Sequence, residues 1–175
     1  GDLARAFAST AGVGRVVGCD FARHMLARAA ARDRPWAAKV YWCEGDALRL
    51  PFASESHDVV ACAFGVRNFQ DLGAGLREMH RALRPGGRAV ILEFTRPGIT
   101  VLRVPYEFYL HRVMPWLATR ISGDRTGAYR YLPSSVLSFE GPAELCQHLS
   151  RAGFARTVSR PLTFGIVRVY VASRE

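Results

Sequence analysis

Four short apolar runs, each ending at a polar residue or a turn, constrain this chain more than any other feature. They are RVVGCD (15–20), KVYWC (39–43), HDVVACAF (57–64) and RAVILEF (88–94). Runs of this length with no polar alternation are the mark of strands buried on both faces, as in a parallel sheet. Helical stretches separate them. Residues 2–10 read as a short helix, and 22–33 (ARHMLARAAARD) as a longer one that Pro35 interrupts. Residues 71–84 carry Leu72, Leu76, Met79 and Leu83 at spacings of four, three and four, which puts them on one helical face. Pro85-Gly86-Gly87 stops that helix before the last of the four runs. Strands alternating with helices predict an α/β fold with a doubly wound, mostly parallel sheet and right-handed crossovers.

The rhythm changes after residue 95. Residues 101–120 (VLRVPYEFYLHRVMPWLATR) are apolar and aromatic but broken by Pro105 and Pro115, which predicts two short helices outside the sheet. Residues 121–139 read as loop. A helix near 141–152 and strands near 155–160 and 165–172 follow, the last two closing the sheet as an antiparallel pair. With 175 residues, 49% of them hydrophobic, the chain is long enough for one domain with a core. Its expected parts are a cofactor-binding portion (1–95), a substrate-side helical insert (96–140) and a C-terminal helix with strands (141–175).

Composition narrows the classes. Nothing is low-complexity or repeated, no basic stretch followed by an apolar run opens the chain, and no run of about 18 apolar residues suggests a spanning helix. Cys19, Cys43, Cys62 and Cys146 form no CxxC pair, so reduced thiols of a cytoplasmic protein are expected, and no metal requirement is suggested. The net charge is +9, and Lys39 is the only lysine. Such a charge favours nucleic acid or an anionic membrane surface. The arginines are scattered along the chain, as a general Arg-rich composition would also leave them.

Ligands of a doubly wound sheet sit beyond the carboxyl ends of its strands. Gly1-Asp2-Leu3-Ala4 reads as the tail of a glycine turn where backbone approaches a nucleotide, and Asp20 follows at about the ~20-residue spacing of an acid that binds ribose hydroxyls. Asp20 also suits the N-terminus of the helix at 22–33, and the two roles are compatible. GDALRLPF (45–52) follows the next strand, where Asp46 and the Ala47 N–H could meet an adenine ring; a plain Asp-led turn is the alternative. A dinucleotide oxidoreductase would share this fold. The D-A-x-x-L-P-F turn and the Leu-Arg-Pro-Gly-Gly segment (83–87) instead point to a methyltransferase.

Further along, the chain resembles the C-methyltransferases of ubiquinone and menaquinone biosynthesis (UbiE/MenG type). GDLA, VVGCDFARHML, GDALRLPFA, FGVRNFQD, EMHRALRPGG, ILEF, ISG, AYRYLP and PLTFGIV occur in that family's order and cover essentially the whole chain. The resemblance implies a Rossmann-like fold dependent on S-adenosyl-L-methionine, with cofactor contacts at Gly1, Asp20, Asp46, Ala47 and Ala63. That last position is commonly Ser in the family, so any hydroxyl contact there is lost. Of the family's Gly-x-Gly turn only the last glycine, Gly1, is present, and the strand before it is missing from the given sequence. That strand belongs mid-sheet, so two unpaired edges and weak cofactor binding by the chain as given are expected.

The implied reaction is C-methylation of a prenylated quinol, naphthoquinol or benzoquinol. A quinol hydroxyl starts near pKa ~10, and a neighbouring cation lowers such a value by roughly 1–3. Arg67 is the candidate catalytic residue. It stabilises a phenolate rather than acting as a base, because arginine stays charged. Asn68 is the candidate for orienting a quinol oxygen; a capped surface turn is the bland alternative for both residues. Tyr109, Tyr129 and Tyr131 are expected to meet the substrate, and Tyr106, Phe108 and Trp116 to face its tail. Arginines mixed with these aromatics suit peripheral contact with the inner face of a bacterial membrane. Nucleic acid is not an expected partner: FGVRNF stands where base methyltransferases usually carry an Asn/Asp-Pro-Pro-aromatic segment. Methylation of another small molecule and an inactive remnant are the alternatives, and a homo-oligomer is compatible with the sequence.

Overall fold

A computed structural model describes residues 1–32, 38–97, 104–106, 108, 112 and 134–175. Its elements are α1 (Asp2–Ala8), β1 (Arg15–Asp20), α2 (Arg23–Ala30), β2 (Lys39–Glu44), β3 (His57–Ala63), α3 (Leu72–Ala82), β4 (Leu83–Phe94), α4 (Pro142–Arg151), β5 (Arg156–Leu162) and β6 (Val167–Ser173). The strands and helices alternate as the apolar runs predict. Pairing is parallel for β1–β2 and β3–β4, and antiparallel for β4–β6 and β5–β6.

The described strands fall into a two-stranded sheet, β1-β2, and a four-stranded sheet of order β3-β4-β6-β5. The outer edges of β1 and β3, like those of β2 and β5, have no strand partner among the described residues. Two clusters of buried side chains accompany the two sheets. The larger one gathers Leu76 and Met79 of α3, Ile91 of β4, Leu145 and Leu149 of α4, and Tyr170 of β6. The smaller one holds Ala8, Ala38 and Val40, with Val16 and Trp42 packed against them.

α3 shows how local chemistry sets an element. The Asp71 carboxylate accepts a hydrogen bond from the Ala74 N–H at 2.8 Å and starts the helix. Leu76, Met79 and Leu83 are buried, as their spacing requires. At the other end, Arg174 Nη1 donates to the carbonyls of His80, Arg81 and Leu83 at 3.0, 3.1 and 2.7 Å, satisfying acceptors that a helix terminus leaves open.

Two expectations are corrected. β4 begins at Leu83 rather than 88: Leu83 pairs with His57, the register then shifts, and Arg88 pairs with Val59. The Pro-Gly-Gly segment thus ends the helix but is absorbed into the strand, with Gly86 at φ +79 donating to the Arg174 carbonyl at 2.8 Å. Within the stretch read as loop, residues 134–138 are helical. Of the helices expected over 101–120, residues 104–106 are described and helical. Among the described residues no helix is long and apolar enough to cross a membrane.

Candidate active site

The carboxyl ends of β1, β2 and β3 carry Asp20, Asp46 with Ala47, and Ala63 with Arg67 and Asn68, all singled out in the sequence. Asp20 closes β1. Its Oδ1 accepts from the Ala22 N–H at 2.9 Å, and its backbone carbonyl accepts from the Gly45 N–H at 3.1 Å. The carboxylate is thus held at the head of α2, and Oδ2 carries no hydrogen bond among the described residues. The N-cap role envisaged for Asp20 is corrected: Ala22 is the N-cap of α2 and has no side-chain cap bond, while Asp20 makes a turn onto the Ala22 N–H and keeps Oδ2 for a ligand.

The segment after β2 is tied down on two sides. Asp46 Oδ1 accepts from the Leu48 N–H at 2.9 Å, forming an Asx turn, and the Arg49 N–H donates to the Asp46 carbonyl at 3.0 Å. The Leu50 N–H donates to Glu78 Oε2 at 2.8 Å, and Arg81 of α3 donates to the carbonyls of Leu50 and Phe52. Asp46 is exposed and Ala47 half-buried, beside the end of β1. Gly1 caps α1, where a Cβ would lie 2.8 Å from the Trp42 ring and 3.0 Å from Ala29. A Cβ on Gly18 would lie 2.3 Å from the same ring, so Trp42 accounts for both glycines sterically.

Beyond β3 the chain makes a tight turn. Phe64 adopts φ +57, a conformation that a bulky residue rarely holds. Its N–H donates to the Leu92 carbonyl at 2.7 Å, and its ring stacks on Phe94 with centroids 4.5 Å apart. Gly65 follows, where a Cβ would stand 2.7 Å from the Cys62 sulfur. Residues Val66–Asn68 then form a single 3-10 turn that presents Arg67.

Arg67 is almost buried. Its Nη1 donates to Glu93 Oε1 at 2.7 Å and to the Phe64 carbonyl at 2.6 Å, and its Nε donates to Ser135 Oγ at 3.3 Å. The Arg67 and Glu93 side chains are 8% and 0% exposed, which makes them a buried ion pair. Glu93 Oε1 also accepts from its neighbour's N–H, that of Phe94, at 2.9 Å, and Oε2 faces the Arg67 N–H at 3.4 Å. The guanidinium carbon sits 5.5 Å from the centroid of the Phe94 ring. Among the described residues no hydrogen bond leaves Nη2. Arg67 thus offers one free N–H edge whose charge is balanced within the protein, rather than the bare cation envisaged from sequence.

A cavity of about 210 Å³ adjoins this cluster, lined by Phe94, Thr95, Val136, Phe139 and Glu140 among others. A wider groove of about 450 Å³ lies on the open face of β4, β5 and β6 between Arg88, Arg156 and Arg160, and shares no lining residue with the cluster. Burial pushes the Cys62 thiol up to about 11, with the Glu93 charge adding to the effect. Cys19 is pushed up to about 12, by burial first and by Cys43 next. All four cysteines are free thiols.

Ala63 ends β3 and pairs with Leu92, and the exposed Asn68 follows Arg67 in the 3-10 turn. Tyr109, Tyr129, Tyr131 and Trp116 lie outside the described residues. Sequence reasoning missed Glu93, Ser135 and Phe64 as members. A signal for Glu93 existed: it shares the inward face of β4 with Ala89 and Ile91, and an acid on a buried strand face demands a cation.

The profile of the ubiE/COQ5 methyltransferase family matches residues 1–174. The demethylmenaquinone methyltransferase of Deinococcus radiodurans is 42% identical over 174 residues, 99% of this chain and 71% of that protein. The enzyme of the same name from Thermus thermophilus is 43% identical, over 99% of this chain and 78% of that one. The ubiquinone/menaquinone biosynthesis C-methyltransferase UbiE of Geobacter sulfurreducens is 39% identical over 91% of this chain and 62% of its own length. Among solved structures, S-adenosylmethionine-dependent methyltransferases of Mesorhizobium loti and Thermotoga maritima superpose with TM-scores of 0.63 and 0.64 at 19% and 18% identity. They cover 93% and 91% of this chain and 82% and 72% of their own, and establish the fold as Rossmann-like.

Proposed function

Because the chain belongs to the ubiE/COQ5 methyltransferase family, we propose that it moves the methyl group of S-adenosylmethionine to a ring carbon of a prenylated quinol, through a site built on Asp20, the 45–50 turn and Arg67. The residues present fit that cofactor: Asp20 keeps a free carboxylate oxygen for ribose hydroxyls, and Asp46 with Ala47 offers an acceptor and a donor beside it. Bound there, S-adenosylmethionine would supply an electrophilic methyl to the ring carbon, with S-adenosylhomocysteine as leaving group and the displaced ring proton passing to water.

The observation that carries the reading is the free Nη2 edge of a guanidinium that is otherwise immobilised at the end of β3. Those N–H groups donate to a quinol oxygen as negative charge develops on it. Fixed donors of this kind need no reorganisation at the moment of reaction. Asn68 stands next in the same turn and orients the ring. In the neighbouring cavity Phe94, Val136 and Phe139 offer the ring apolar contacts, alongside the polar Thr95, Arg96 and Glu140.

Arg67→Ala in the full-length enzyme is expected to cut turnover by about 10²–10³-fold, the cost of losing one such donor. Cofactor affinity, followed by calorimetric titration, is expected to change far less. Equal losses in both would assign Arg67 to structure. Demethylmenaquinol and a prenylated benzoquinol offered side by side identify the ring that is methylated.

A prenylated substrate resides in lipid, and the +9 charge together with the exposed Val104 and Phe108 supports peripheral contact with an anionic membrane. Flotation with anionic vesicles at low salt is expected to carry the enzyme upward; its remaining at the bottom of the gradient excludes the contact.

A further inference from the structure

We infer that Glu93 is a positioning residue for the methyl transfer, acting through Arg67 by fixing the direction of the guanidinium and cancelling its charge. The inference rests on the reading of Arg67 given above. Glu93 lies 0% exposed on the inward face of β4 and does not reach solvent. Its Oε1 and the Phe64 carbonyl take up both N–H groups of Nη1, and Ser135 takes the Nε–H. Three acceptors from three segments leave the guanidinium a single orientation, with Nη2 turned away from all of them. The Phe64 carbonyl is available only because Phe64 holds its left-handed backbone, so local strain and the ion pair serve one arrangement.

The charge balance has a chemical consequence. An unpaired buried arginine would attract a quinolate in the ground state and lower the pKa of a bound quinol. The Arg67–Glu93 pair instead presents directed donors with little net charge, so it favours oxyanion character that develops in the transition state over a preformed anion. Among the described residues, the charged and titratable groups around Glu93 are Arg67 after β3, Cys62 on β3 and Tyr170 on β6; Arg168 of β6, with Cys146 and Glu144 of α4, acts on Tyr170. Burial holds the Cys62 thiol at about 11 and the Tyr170 phenol at about 12, so both stay neutral over the pH range of an assay.

The test is a pH–rate profile of the full-length enzyme with Glu93→Gln, which keeps the shape and removes the charge. Turnover is expected to fall by about 10-fold or more as the guanidinium loses its fixed direction. The acid limb of the profile is expected to move down by about one pH unit, because the unbalanced cation favours the quinolate. Glu93→Asp keeps the charge with a shorter reach; turnover is expected to fall with the acid limb in place, and this variant serves if the Gln form does not fold. In an Arg67→Ala background Glu93→Gln is expected to add no further loss. An acid limb unmoved in Glu93→Gln, wild-type turnover in either variant, or additive losses in the double variant would overturn the inference. If Arg67→Ala itself turns over normally, the reading of Arg67 fails first and separately.

Discussion

At the scale of single residues, Tyr170 and Glu93 face each other as opposites. Both are fully buried, but Glu93 has every incentive to stay and Tyr170 does not. The Tyr170 hydroxyl has no hydrogen-bond partner among the described residues, and burial has pushed its phenol up to about 12. An unsatisfied buried hydroxyl carries a desolvation cost of about 1–3 kcal/mol. Tyr170→Phe is therefore expected to hold or raise stability, by up to about 1 kcal/mol, in urea unfolding; a clear loss would mean the hydroxyl is bonded in solution. Glu93 is the residue whose role was hardest to read in advance. ILEF is visible as a buried strand, but the partner of its acid lies 26 positions earlier, and only the parallel register of β3 on β4 brings the two together. Asp20 was easier, because its role follows from a local pattern: an apolar strand, an acid, then a helix.

At the scale of elements, the turn FGVRNF depends on α3 as well as on β4. A Cβ on Gly75 would lie 2.3 Å from the Phe69 ring. Alanine at this position gains about 1 kcal/mol of helix propensity over glycine, yet overpacking costs typically 1–3 kcal/mol. Gly75→Ala is expected to destabilise the protein in urea unfolding, and Gly75→Ala with Phe69→Leu to recover part of the loss. The four parallel-type strands and α3 were legible because apolar run length and helical spacing are local signals. The true start of β4 was not. Pro85-Gly86-Gly87 ends a helix in any context; it is drawn into the strand only because Leu83 and Arg88 on either side of it pair with β3 and because Gly86 and Gly87 exchange backbone hydrogen bonds with Arg174. The 134–138 helix was missed because PSSVLSF offers too few turns for a period to show, and its contribution, Ser135 on Arg67, is a tertiary contact.

At the scale of the whole molecule, the described residues form two sheets and two core clusters. The β1–β2 pair rests on a few alanines and valines with Trp42, while β3, β4, β6 and β5 enclose the larger cluster with α3 and α4. Segment 45–52 links them through Gly45 on Asp20 and through Leu50 on Glu78. Small clusters and open edges lower local stability, because fewer apolar contacts oppose the chain's entropy. The open edges of β1 and β3 thus carry a consequence for cooperativity. The chain as given is expected to open in two steps, with the amides of Val16–Cys19 and Val40–Cys43 exchanging with deuterium well before those of Ala89–Leu92. One common exchange rate across both sheets would mean that a single folding unit spans the gap.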